Sequence, residues 1–345
     1  MQAKFLPGGK LSPLLEAVAS DRAVYGPTRV DGRARLCRIP PGAAEVAGCR
    51  TAEPVKTLFF RARQDVGGYF GDSSGELVPA QAVLMARACD IAALGLVDRI
   101  FLEGDLPDPF YQAARNNTLL VSMDCTRPAD NCFCTFVGGA PFARGGYDLN
   151  LSCADKGYVV TAGSDAGAAL LQEHGGGLRE ASPEDLSEVE RVHSEVLKSV
   201  EHNVAQAGLA MEDDFQDRVR ASSDAPLWNR LAEKCVECAA CNLVCPTCHC
   251  FLLVDAANSA GFRRFRNWDA CLYASFAREA SGANPRARRA QRLHGRIEKK
   301  FDFLRTNLGA WGCVGCGRCI DACAGKIDVR ETLRELLNAE SLQSH

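Results

Sequence analysis

The chain has 345 residues, 47% of them hydrophobic and 24% charged, with a formal net charge of −3. This is a globular composition; it excludes a disordered or low-complexity chain, and the near-neutral charge gives no reason to expect nucleic acid as a partner. No apolar run reaches the ~18–20 residues of a membrane helix, and residues 1–10 lack an export-type apolar segment, so a cytoplasmic protein away from membranes is expected.

Residues 1–180 read as an α/β or α+β domain. Apolar runs at 56–60, 118–121 and 157–161 predict strands, and the patterns at 81–95, 108–115 and 164–174 predict helices. Behind Ser182, Pro183 with Glu184 and Asp185 makes a helix start: the serine caps, and the acids suit the positive end of the helix dipole. That helix is expected to run to about 206 and stop before Gly208. Helices around 211–220 and 225–234 complete a connector, placed at 181–230, that spaces the two ends of the protein.

Eighteen cysteines are the abnormal feature. Without an export signal they point to metal ligation or redox chemistry rather than disulfides. Cys125, Cys132 and Cys134 fall within ten residues, after the run at 117–122 and before Gly138-Gly139, so their loop follows a strand end. With Cys89 they make four thiolates, the number a [4Fe–4S] cubane needs. Zinc is the leading rival, because this spacing is not diagnostic.

The C-terminal pattern is specific. Cys235, Cys238, Cys241 and Cys245 are spaced C-x2-C-x2-C-x3-C, and so are Cys313, Cys316, Cys319 and Cys323. In bacterial two-cluster ferredoxins the first three cysteines of such a run wrap one cubane and the fourth reaches the other. Cys235, Cys238, Cys241 and Cys323 are therefore assigned to one cluster, and Cys313, Cys316, Cys319 and Cys245 to a second. Residues 231–345 thus form a two-cluster ferredoxin-like domain with a long insertion, residues 246–312. Zinc prefers paired cysteines to four within eleven positions.

The insertion carries Cys248, His249, Cys250 and Cys271, and a basic stretch at 263–300 with eleven Arg/Lys against three Asp/Glu. The stretch is expected to be a solvated helical face; its alternatives are a docking surface for an acidic partner or a field that raises cluster potential. Cys248, Cys250 and Cys271 could line a cluster pocket and are not assigned as ligands, and His249 either hydrogen-bonds a cluster or simply packs. Cys37, Cys49 and Cys153 are expected to be small packing residues. The glycine runs form no G-x-G-x-x-G fingerprint, so no flavin or nucleotide is expected on this chain.

The order of Ala88-Cys89-Asp90, Cys132-Phe133-Cys134, Gly146-Tyr147-Asp148-Leu149, Cys245-Pro246-Thr247-Cys248-His249-Cys250, Trp268-Asp269-Ala270-Cys271 and Cys313-Val314-Gly315-Cys316 resembles the beta subunits of cytosolic NAD(P)-linked [NiFe] hydrogenases (sulfhydrogenases) and the homologous A subunit of anaerobic sulfite reductase. The resemblance spans nearly the whole chain. It implies three [4Fe–4S] clusters, the third on Cys89, Cys125, Cys132 and Cys134. It also implies a flavin- and NAD(P)-binding partner and a catalytic subunit, most simply of a [NiFe] hydrogenase, with sulfite reductase as the alternative. The chain departs from the family pattern at Ala88, where Pro is frequent, and Ala324 stands where ferredoxin-type repeats often have Pro; neither change removes a thiolate. An electron-transfer subunit is therefore expected, with no catalytic residue of its own. A catalytic reductase would need a cluster with an open iron, and a zinc-stabilised interaction protein would be colourless.

Overall fold

A computed structural model describes residues 3–44, 48–69, 79–258 and 261–338. The strands of the N-terminal half are β1 (Ala3–Pro7), β2 (Ala23–Val30), β3 (Arg33–Arg38), β4 (Arg63–Tyr69), β5 (Gln81–Ala86), β6 (Thr118–Met123), β7 (Leu149–Ala154), β8 (Gly157–Ala162) and β9 (Arg179–Glu180). Eight of them make one sheet in the order β3-β2-β5-β6-β7-β8-β1-β9. The neighbours β2, β5, β6 and β7 are parallel; the flanking pairs are antiparallel. Every residue of β5 and β6 is buried, as central parallel strands covered on both faces require.

Helix α1 (Leu11–Val18) covers one face, with α4 (Asp165–His174) beside it; α2 (Ala88–Phe101) and α3 (Pro109–Asn116) cover the other. The expected strand at 118–121 and the helices at 108–115 and 164–174 are present. Two expectations are corrected. Residues 81–95 are a strand followed by a helix, because a continuous apolar run carries no period that marks the change. Residues 56–60 are no strand: after Pro54 the chain makes a short 3-10 turn over Val55–Leu58 that buries Lys56.

Helix α5 (Pro183–Gln206) begins with the expected capping box between Ser182 and Asp185, and Gly208 follows at φ +65°. Helices α6 (Phe215–Ala221) and α7 (Pro226–Lys234) lead to α8 (Ala240–Leu243). The insertion opens with a hairpin, β10 (Phe251–Asn258) and β11 (Gly261–Trp268), and β4 pairs with the free side of β11 to give a three-stranded sheet. Helix α9 (Arg289–Glu298) continues through a π-helical turn, Lys299–Phe303, into α10 (Leu304–Leu308); α11 (Arg318–Asp321) and α12 (Val329–Asn338) follow. Phe133 and Phe136 of the N-terminal cysteine loop are buried in the same core as Phe215, Trp228, Phe301 and Leu333.

The basic stretch is not a solvated helical face. Its first part is β11, where Arg263 pairs with Asp65 at 2.7 Å and Arg266 is buried against Asp108. Its last part buries Arg292, Arg296 and Lys300, and only the first of these meets a carboxylate, Glu237.

Candidate metal centres

The twelve expected cysteines gather around three cavities. Cys235, Cys238, Cys241 and Cys323 line the first, of about 630 Å³, with Trp228, Leu272 and Ile297. Cys245, Cys313, Cys316 and Cys319 line the second, of about 380 Å³. Cys89, Cys125, Cys132 and Cys134 line the third, of about 350 Å³. The three form a row, because Cys319 also borders the first cavity and Cys316 also borders the third.

The two ferredoxin-type runs share one backbone design. Glu237 and Ala239 lie at φ +56°, and Gly315 and Gly317, at the matching positions, at +63° and +71°. Such left-handed residues aim successive N–H groups inward and make a concavity for an anion. The Gly315 N–H donates to Cys313 Sγ at 3.4 Å, and the Ile327 N–H to Cys323 Sγ at 3.3 Å. Only the second run has glycines there, because the N-terminal loop presses on it. A Cβ on Gly315 would stand 2.5 Å from the Cys134 backbone, and the Gly315 carbonyl accepts from Phe133 N–H at 2.8 Å.

The third cavity sits where ligand sites of open α/β sheets lie, beyond the carboxyl ends of parallel strands. Cys89 follows β5 in the first turn of α2, and Cys125 follows β6. Next to Cys125, buried Asp124 accepts from Ser152 Oγ at 2.6 Å and lies 2.8 Å from His193 Nε2, which fixes the strand end. Arg318, from the second run, pairs with buried Asp90 at 2.7 Å and holds the Cys89 helix against α11. Arg50 donates to Asn131 Oδ1 at 2.9 Å, to Asp321 Oδ2 at 2.8 Å and to the Cys316 carbonyl.

Burial pushes the thiols of Cys134 and Cys313 up to about 11, and those of Cys125 and Cys319 up to about 12. Metal binding must therefore expel their protons. Cations stand ready to compensate. Lys300 Nζ lies 3.2 Å from Cys245 Sγ; burial opposes its charge, yet the thiolates of Cys245 and Cys248 hold its pKa above the ordinary value. Buried Arg296 borders the first two cavities, and its Nε has no hydrogen-bond acceptor. An anionic cluster supplies what these groups lack.

Comparison with known proteins agrees. Residues 234–327 match the 4Fe-4S dicluster domain family. Over 320 residues the chain is 29% identical to sulfhydrogenase 2 subunit beta of Pyrococcus furiosus, with 91% of this chain and 92% of the relative covered. The chain is a homologue of a sulfhydrogenase beta subunit. This beta-subunit homologue is an iron–sulfur, electron-transfer protein, of mixed helix and sheet with its [4Fe–4S] dicluster domain towards the C-terminus. Among its described residues no helix is long and apolar enough to cross a membrane.

Cys153 of the homologue packs against the sheet core, as expected of a small apolar residue. Cys49 does not: it lines the third cavity beside the four expected ligands and Cys316, with Sγ 3.9 Å from Cys132 Sγ. The hydrogen bond between the two sulfurs draws Cys49 down to about 6 and pushes Cys132 up. A single cysteine forty residues before Cys89 gave no spacing signal, but its neighbour Arg50, an arginine held in the interior, is the structural sign of a nearby anion.

Proposed function

We propose that the chain relays single electrons through three [4Fe–4S] clusters, in the cytoplasm, between a flavin- and NAD(P)-binding subunit and the catalytic subunit of a [NiFe] hydrogenase. The clusters are held by Cys235, Cys238, Cys241 and Cys323; by Cys245, Cys313, Cys316 and Cys319; and by Cys89, Cys125, Cys132 and Cys134. The observation that carries this reading is the row of three cavities with Cys319 and Cys316 as shared walls. The sulfhydrogenase relative supports a hydrogenase over a sulfite reductase.

A [4Fe–4S] cluster, when bound, supplies one-electron oxidation and reduction. The chain does the rest. Trp228, Leu272 and Ile297 exclude water from the first cavity, and the N–H groups of Gly315 and Ile327 stabilise negative sulfur. Lys300 and Arg296 favour the more negative redox state of whatever stands beside Cys245. Cys238 is exposed, so the first cavity is the end of the row open to a partner. The remaining layout follows: 1–180 as the N-terminal domain, 181–230 as connector, 231–345 as the dicluster domain.

The test is anaerobic purification with its partners. A nickel-containing large subunit and a flavoprotein are expected to co-purify; a sirohaem subunit refutes the hydrogenase assignment. Cys241→Ala, Cys319→Ala and Cys134→Ala are each expected to lose about four irons, and parent-level iron in Cys134→Ala refutes the third cluster.

A further inference from the structure

Of the six cysteines that the relay does not use, three lie together. The hairpin brings them there: Cys250 directly precedes β10, Cys271 closely follows β11, and the Asp269 N–H donates to the Cys250 carbonyl at 3.0 Å across the hairpin's base. Cys248, Cys250 and Cys271 line a fourth cavity, of about 280 Å³, with His249, Asn242 and Lys300. The Asn242 amide reaches Cys271 Sγ at 3.2 Å and Cys248 Sγ at 3.7 Å, the kind of N–H···S donor that thiolate ligands collect.

His249 offers a fourth donor. Its Nδ1 lies 3.0 Å from the Thr247 carbonyl oxygen. A carbonyl only accepts, so Nδ1 carries the hydrogen and Nε2 keeps a free lone pair, the orientation seen in ligating histidines. The surrounding charge is one-sided. Lys56 Nζ is buried, 2.7 Å from the Cys248 carbonyl and 4.6 Å over the Trp268 ring. Lys300 donates to the Thr247 hydroxyl and the Gly312 carbonyl, each at 3.0 Å, and Arg296 also borders the cavity. Among the described residues no carboxylate pairs with any of the three. Lys300 and Arg296 also border the second cavity, but Lys56 does not; a buried cation without a counter-charge is costly, and an anionic centre beside Cys248 removes that cost.

We propose that Cys248, Cys250 and Cys271, with His249 Nε2 as fourth donor, hold a fourth [4Fe–4S] cluster. The site shares no thiol with the other three. It adjoins the second cavity, with Arg296 and Lys300 in both walls, so it branches from the row at its middle.

The test compares the full chain, purified without oxygen, with Cys250→Ala/Cys271→Ala and with Cys37→Ala as control. The double variant is expected to lose about four irons and about four sulfides relative to the parent, together with one electron paramagnetic resonance signal of the reduced protein, while the control loses neither. Unchanged iron, or the loss of about one zinc instead, overturns the proposal. If the double variant does not fold, Cys248→Ala is read by the same difference. Because the readout is a difference from the parent at cysteines used nowhere else, it stands even if Cys134→Ala shows the third cavity to hold no iron. His249→Ala is expected to shift the g-values of the same signal; an unmoved spectrum overturns the histidine's part.

Discussion

The two ferredoxin-type loops provide an internal experiment, since matched positions carry Ala239 in one and Gly317 in the other, both left-handed. Placing alanine at Gly317 costs about 1–2 kcal/mol of backbone strain. The new Cβ would also stand 2.6 Å from Asn131 Oδ1 and closer still to the Asn131 carbonyl oxygen, and such overpacking costs about 1–3 kcal/mol. Gly317→Ala is therefore expected to destabilise by roughly 2–5 kcal/mol. The reverse change at the twin position, Ala239→Gly, relieves the same strain of about 1–2 kcal/mol. It gives back about 0.4–1 kcal/mol to the freer unfolded chain and about 0.8 kcal/mol for a lost buried methyl. The net is near zero. Urea unfolding of the anaerobic protein, read by far-ultraviolet circular dichroism, should show a large drop in midpoint for Gly317→Ala and almost none for Ala239→Gly. Equal effects at both positions would refute the reasoning that contact with the N-terminal loop, rather than cluster wrapping, demands the glycine.

Lys300→Met removes a cation 3.2 Å from Cys245 Sγ. At an effective dielectric of about 20 a unit charge lost this close is worth about 3 kcal/mol, or roughly 100 mV for one electron, so a redox titration should find at least one potential more negative by that order. An unchanged or raised potential contradicts it. Asp108→Ala strands the buried Arg266 and uncaps α3, where Asp108 accepts from the Tyr111 N–H at 2.8 Å. The expected loss is about 3–5 kcal/mol for the broken pair plus about 1 for the cap; a change in unfolding midpoint worth under 1 kcal/mol contradicts it. Cys49→Ala is expected to retain the parent's iron, in contrast to Cys134→Ala, and an equal loss would make Cys49 a ligand. Iron loading of the apoprotein is expected to quicken as pH rises from 6 to 8. The raised thiols of Cys125, Cys134, Cys313 and Cys319 must give up protons to bind, and a rate flat with pH would argue against that.

The cysteine runs were legible because a cubane imposes a short, repeated spacing, and the capping box at Ser182 because it is wholly local. The helix through 81–95 was misread for the opposite reason. Ala82–Ala86 is apolar throughout, buried on both faces, and carries neither a period of 2 nor of 3.6. Lys56 looked like part of a strand; its role is to cross from one half of the protein to the carbonyl of Cys248 in the other, a contact 192 residues apart that no local pattern encodes. The same holds for Arg296 and Lys300. A basic run usually faces water, and only the neighbouring thiols, assembled from distant segments, turn these two inward. Cys49 reaches its cavity by the same long-range route.

The pairing of β4 with β11 bears on how the protein can be taken apart. A fragment beginning near residue 231 would keep eight of the relay's cysteines but leave β11 with one side bare, beside exposed Leu252, Leu253 and Phe262. Unpaired edges of that kind recruit other chains. The dicluster half is thus fitted to work only with its own N-terminal strand as a shield, and dissected versions would tend to stick together before their electron chemistry could be studied.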